Sequence, residues 1–152
     1  MKTTWIRDDQ NFKLKFGSDN NNWVTVTLAD SVDTSALHDG VYLSENANGK
    51  YEVAQAGDKI AYPMLELKFQ FDNEAVEGVT VSEGKVQAFT KYFEGTPSAG
   101  DLMKIVDSST DETIAGSLTP LEETDETDLA VAEVISVHSG DGGSYLEISK
   151  LY

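Results

Sequence analysis

Leu129-Ala130-Val131-Ala132-Glu133-Val134-Ile135-Ser136-Val137, followed after a Gly-rich turn by Tyr145-Leu146-Glu147-Ile148-Ser149-Lys150-Leu151-Tyr152, decides the fold class. The second run alternates apolar and polar residues, the period-two signature of a half-buried strand. The first is apolar at both phases of that period except at Glu133, which predicts a strand covered on both faces. Ala130 and Ala132 would also suit a helix, but the β-branched Val131, Val134, Ile135 and Val137 favour a strand. Upstream, Gly100-Asp101-Leu102-Met103-Lys104-Ile105-Val106 adds a Gly-led apolar run. Together these stretches predict the core of a small β domain.

The same reading extends towards the start of the chain. Residues 1–10 are polar except for Trp5 and Ile6 and read as a flexible arm, with 11–152 as a single β domain. Phe12, Leu14 and Phe16 alternate with Lys13 and Lys15, and Trp23 to Leu28 is the expected hairpin partner across a turn-rich Gly17 to Asn22. Asp33 to Gly40 fits one capped helical turn. Val41 to Ser44 and Tyr51 to Ala54 flank Asn48-Gly49, a strong hairpin signal. In Met64 to Phe71, Leu65, Leu67, Phe69 and Phe71 share the apolar phase. Glu94 to Ala99 is the densest cluster of breakers and marks a possible internal joint. Thr119-Pro120-Leu121-Glu122 has capping-box chemistry, predicting a short helix over 120–125.

About ten short strands at roughly ten-residue spacing predict an all-β barrel or sandwich with short helical turns. There is also an internal echo. Gly40 to Leu43, Tyr51 to Ala54 and Ala61 to Leu67 are patterned like Gly100 to Val106, Thr113 to Ser117 and Leu129 to Val137. Each set is a Gly-led strand, a polar turn, a short strand and a longer one.

Bulk composition limits the partners. With 27 acids against 11 bases the formal charge is −16, and such a surface repels phosphates, so nucleic acid and anionic membrane are poor targets. No stretch has the length of an apolar membrane span, and the first residues have no export signal. There is no cysteine, so disulfides, thiolate metal sites and a thiol nucleophile are all absent.

Catalytic chemistry is not expected. The two imidazoles, His38 and His138, lie in or beside Gly-containing turns and read as solvated, and no nucleophile elbow or phosphate loop is present. With 27 acids some carboxylates always lie close together, so a carboxylate pair carries no signal. Glu122-Glu123-Thr124-Asp125-Glu126-Thr127-Asp128 holds five acids in seven residues without the spacing of a calcium loop, and reads as a solvated acidic turn. No cofactor or metal is expected. Trp5, Ile6 and Trp23 are the candidate partner-binding residues, since bulky apolar groups in polar surroundings often anchor a partner.

The stretches Gly57-Asp58-Lys59-Ile60-Ala61, Ala99 to Ile105, Leu129 to Ile135 and Leu146 to Leu151 resemble the head-decoration, or cement, proteins of tailed bacteriophages. The resemblance covers the last third and part of the middle, and rests on composition and strand order. It implies a trimer on the outer surface of the capsid that contacts the major capsid protein and stabilises the shell, after synthesis in the bacterial cytoplasm. A carbohydrate-binding or adhesin-like β module of a tail or cell-surface assembly is the alternative expectation.

Overall fold

The computed structural model describes residues 6–7, 9–15, 23–67, 77–82, 86–107 and 114–151. In order, these form β1 (Phe12–Leu14), β2 (Trp23–Thr27), β3 (Tyr42–Glu45), β4 (Tyr51–Val53), β5 (Tyr62–Leu67) and β6 (Glu77–Ser82). β7 (Gln87–Thr90), β8 (Leu102–Ile105), β9 (Leu118–Pro120), β10 (Ala132–Gly140) and β11 (Gly143–Lys150) follow. Single 3-10 turns span Thr34–Ala36 and Thr127–Leu129. The protein is all-β. The strands pair antiparallel in two sheets, one in the order β1-β7-β11-β10-β8-β9 and one in the order β2-β6-β5-β3-β4. Neither sheet closes on itself, so the arrangement is sandwich-like rather than a barrel.

Alternation along β3 fills two cores. Tyr42 packs with Ala88, Met103, Ile105, Leu118, Val134, Leu146 and Ile148 of the six-stranded sheet. Its neighbour Leu43 points to the opposite face and packs with Leu28, Tyr51 and Met64. Full burial of each large side chain contributes about 1.5–3 kcal/mol. Both clusters therefore depend on the phase of β3.

The internal echo is realised as a repeated topology, with one correction: residues 114–117 of the short strand expected at Thr113 to Ser117 are a turn, and β9 (Leu118–Pro120) takes the place that β4 holds in the other repeat. Without β1, the six-stranded sheet reads β7-β11-β10-β8-β9, and the other sheet reads β2-β6-β5-β3-β4, so β2 to β6 correspond one by one to β7 to β11. Details repeat as well. β5 carries a register shift between Met64 and Glu66 against β6, and β10 carries one between Val134 and Ser136 against β11. Parallel bridges join Leu28 to Tyr51 and Phe93 to Leu118. The Gly40 amide donates to the Met64 carbonyl at 2.6 Å, as the Gly100 amide does to the Val134 carbonyl at 2.7 Å. A bulge, a bridge and an amide bond recurring at matched places identify two copies of one five-stranded plan. Residues 94–99 connect β7 to β8 within one sheet, and the chain changes sheet between β1 and β2 and again between β6 and β7.

Several local expectations are corrected by pairing. β1 does not form a hairpin with β2: it pairs with β7, Phe12 opposite Thr90, while β2 pairs with β6 in the other sheet. The helix expected over 120–125 is absent. Pro120 closes β9, the outermost strand of its sheet, where a missing amide proton costs no ladder bond. β10 is not covered on both faces, because Ile135 and Val137 remain 38% and 44% exposed beyond the bulge. The β5 bulge likewise puts Met64 and Leu67 in one cluster, overriding the expected Leu65–Leu67 phase. Phe69 and Phe71 lie outside the described residues.

Candidate functional site

The three partner-binding candidates fall in different places. Trp5 lies outside the described residues. Ile6 is buried against Phe89 and Tyr145 on the outer face of the six-stranded sheet, so its side chain is spent inside the chain's own fold. Trp23 is 42% exposed at the start of β2, beside the similarly exposed Val24. β2 is the last strand of its sheet, so its outer backbone edge has no strand neighbour among the described residues. The residues Trp23-Val24-Thr25-Val26-Thr27 contain neither a charge nor a proline. Edges usually carry such groups to prevent unwanted pairing.

Around Ile6 lies a polar and aromatic cluster that local reading missed. His138 is not in a turn: it sits within β10 and stacks on Tyr145 at 5.0 Å between ring centroids, with Phe89 edge-on to both rings. The Ser136 hydroxyl donates to Glu147 Oε2 at 2.8 Å and lies 2.7 Å from His138 Nε2. Because the single hydroxyl proton faces a carboxylate, which only accepts, Ser136 Oγ accepts from an Nε2–H. A serine activated for attack would give its proton to the imidazole instead. The cluster is thus a closed hydrogen-bond network rather than a primed nucleophile.

Glu147 is the anchor of this network. Burial pushes its carboxyl up, but bonds from Lys15 and Ser136, the Lys15 charge and the nearby His138 ring, 3.6 Å away, outweigh that and hold it below its usual range. Lys15 follows β1, so the Lys15–Glu147 ion pair ties the start of the chain to its last strand. The signal in sequence was the i, i+2 spacing of Ser136 and His138, which places both on one face. That Glu147 lies across from Ser136 required the register.

The acidic stretch 122–128 is organised by distant lysines. Asp125 accepts from the Glu122 amide at 2.7 Å and from Lys104 Nζ at 2.6 Å. These bonds, the Lys104 side chain first, hold its carboxyl below the usual range. Lys59 Nζ meets Asp128 at 2.6 Å and Glu126 at 3.5 Å. The matching turn of the other repeat is built alike: Asp58 accepts from the Gln55 amide and the Ser44 hydroxyl, each at 2.8 Å. Among the described residues no three of His, Asp and Glu are grouped to hold a metal ion.

A cleft of about 470 Å³ lies between the Thr34–Ala36 turn and β4. Val32, Leu37, Val41, Val53 and Ile114 make its apolar walls, and His38, Glu52 and Gln55 its polar ones. His38 is exposed in its loop, as expected, and stacks on Tyr92 at 6.1 Å. No helix among the described residues is long and apolar enough to cross a membrane. Comparison with protein-family models, curated proteins and solved structures finds no match to this chain.

Proposed function

We propose that the chain is a capsid decoration, or cement, protein that attaches as a homotrimer to the outer surface of a phage head and stabilises the shell through its major capsid protein. One observation carries the reading: Trp23 and Val24 stand exposed on an uncharged edge strand, with no strand neighbour on its outer side among the described residues, in an otherwise strongly acidic protein. Exposed tryptophan is a frequent centre of binding energy at interfaces. The resemblance of Ala99 to Ile105, Leu129 to Ile135 and Leu146 to Leu151 to decoration proteins supplies the class of target. A shell clip needs no reaction centre, since many modest contacts on a repeating lattice hold by avidity. A charge of −16 also disfavours packed DNA as the ligand.

The test is light scattering of the purified chain, alone and mixed with empty phage shells. A trimer mass, or shell binding that survives high salt and falls at least tenfold in Trp23→Ala, is the expected result. A monomer at high concentration that ignores the shells would overturn the proposal. The half-exposed Trp23 ring also favours the second reading, a carbohydrate-binding or adhesin-like β module, because an indole face stacks on sugars. Glycan-array binding by a monomer that ignores shells would select it.

A further inference from the structure

The two repeats differ at one edge. β7 and β2 hold equivalent places, because Ala88 pairs with Ile148 as Val24 pairs with Val81, each beside its repeat's bulged strand pair. On β7 the outer edge is filled by β1, antiparallel, with Phe12, Lys13 and Leu14 opposite Thr90, Phe89 and Ala88. The Lys15 amide donates to the Gln87 carbonyl at 2.9 Å, and the Lys91 amide to the Asn11 carbonyl at 2.8 Å. Alternate residues of an antiparallel strand bond to alternate sides, so Gln87 and Phe89 face β1. Their equivalents on β2 are Trp23 and Thr25. Their amides and carbonyls face outward, with no strand beyond them among the described residues.

We propose that the outer edge of β2 is a strand-docking site for an extended segment of a partner protein, with the apolar–Lys/Arg–apolar alternation of Phe12-Lys13-Leu14, laid antiparallel as β1 lies on β7. The occupant is specified by the other repeat, in which the same edge is already filled. Backbone bonds to Trp23 and Thr25 hold the added strand, and side-chain alternation selects it. The basic position follows from charge. Thr25 of β2 and Glu66 of β5 both pair with position 80 of β6, so the two lie in line on one face of the sheet, where Glu66 is an exposed carboxylate. Asp39 is close enough to feel it: burial first, then the Glu66 charge, push the Asp39 carboxyl up against the opposing effect of His38. A second copy does not supply such a strand, because its own Phe12-Lys13-Leu14 is already paired with β7.

This proposal deepens the attachment role given to Trp23 above, and its test uses no shell, so either idea can fail alone. The probe is a dye-labelled synthetic peptide with the sequence of residues 11–15, Asn-Phe-Lys-Leu-Lys, against the full chain. Anisotropy should show saturable binding, weakened at least tenfold when both lysines of the peptide are glutamate. Amide exchange should slow at least tenfold at Trp23 and Thr25 on binding, and not at Val24, whose amide faces β6. Thr25→Pro removes one outward amide without a bond to β6 and should abolish binding at unchanged net charge. If that variant fails to fold, the exchange pattern of the unaltered chain still decides. Equal binding to Thr25→Pro, or no protection at Trp23 and Thr25, would overturn the site. Protection that appears without peptide and follows self-association would overturn the choice of partner in favour of a second copy.

Discussion

The amide of Tyr42 donates to the carbonyl of Gly116 at 3.0 Å, tying β3 of one sheet to the turn that enters β9 of the other. Gly116 has a φ of 81°, and a Cβ there would lie 2.4 Å from Val41 Cγ1 and 3.0 Å from the Tyr42 carbonyl oxygen. Both backbone and space therefore demand glycine. Gly116→Ala combines left-handed strain with overpacking and should cost about 3 kcal/mol. Chemical denaturation of the variant checks this, and a loss below about 1 kcal/mol would show that the two sheets can part locally without cost.

Tyr42 itself makes the reverse case. It is 1% exposed, and its hydroxyl has no hydrogen-bond partner among the described residues. Burial pushes the phenol's pKa up, as expected for a group whose charged form is excluded from the core. Removing a buried unsatisfied hydroxyl while keeping the ring relieves its desolvation cost. Tyr42→Phe should raise stability by about 1 kcal/mol, read as a higher denaturation midpoint at unchanged slope.

Ile6 is 2% exposed between Phe89 and Tyr145. Ile6→Ala should lower stability by about 2 kcal/mol, the low end for a buried isoleucine because the cluster is small. Amide exchange should quicken first in β1 and at the outer end of β10, which border the cluster. An unchanged midpoint would return residue 6 to the role of a free arm.

Glu147 sets an acid limit. Its folded-state pKa lies below the ordinary glutamate value, so its contribution is fully present above that ordinary value and is lost as pH falls through the lower folded pKa. Glu147→Gln should cost about 1–3 kcal/mol near neutrality, since it leaves the Ser136 and Lys15 bonds weakened in a part-buried site. The difference from the unaltered chain should shrink below about pH 4. Parallel melting curves at pH 7 and pH 3 measure it, and a constant difference would mean that the ion pair is not the source.

In the acidic turn the five carboxylates are not equivalent. Asp125 closes the turn on Glu122 and binds Lys104, whereas Glu123 is exposed and has no side-chain partner among the described residues. Asp125→Ala should therefore lower the melting temperature more than Glu123→Gln does, and salt should narrow the gap by screening the Lys104 pair. Melting with and without a chelator should coincide. A chelator-dependent midpoint would reveal a cation held by this turn.

Periodicity along the chain determined most of the strand segments, that they alternate, and even that the halves echo one another, but it put a strand where residues 114–117 turn and a helix where Pro120 closes β9. Phe12, Lys13 and Leu14, or Tyr145 to Lys150, show their strand character in a few neighbouring residues, because side-chain direction alternates strictly along an extended backbone. Asn48-Gly49 likewise marked its hairpin locally, and Leu43, Ser44 and Glu45 do pair with Val53, Glu52 and Tyr51. What alternation cannot specify is the neighbour. β1 left its sequence-adjacent partner for β7 because pairing is settled by total burial across the whole chain. The bulges at 64–66 and 134–136 then shifted the phase of β5 and β10 by one residue, so that Leu67 pairs with Val79 and Val137 with Leu146, while Ile135 is left exposed. Tertiary structure alone brought Lys15 to Glu147, Lys59 to Asp128 and Ser136 beside Glu147. Those contacts join residues from 11 to 132 positions apart, a separation at which only the register of the folded sheets, not the local pattern, fixes which side chains meet.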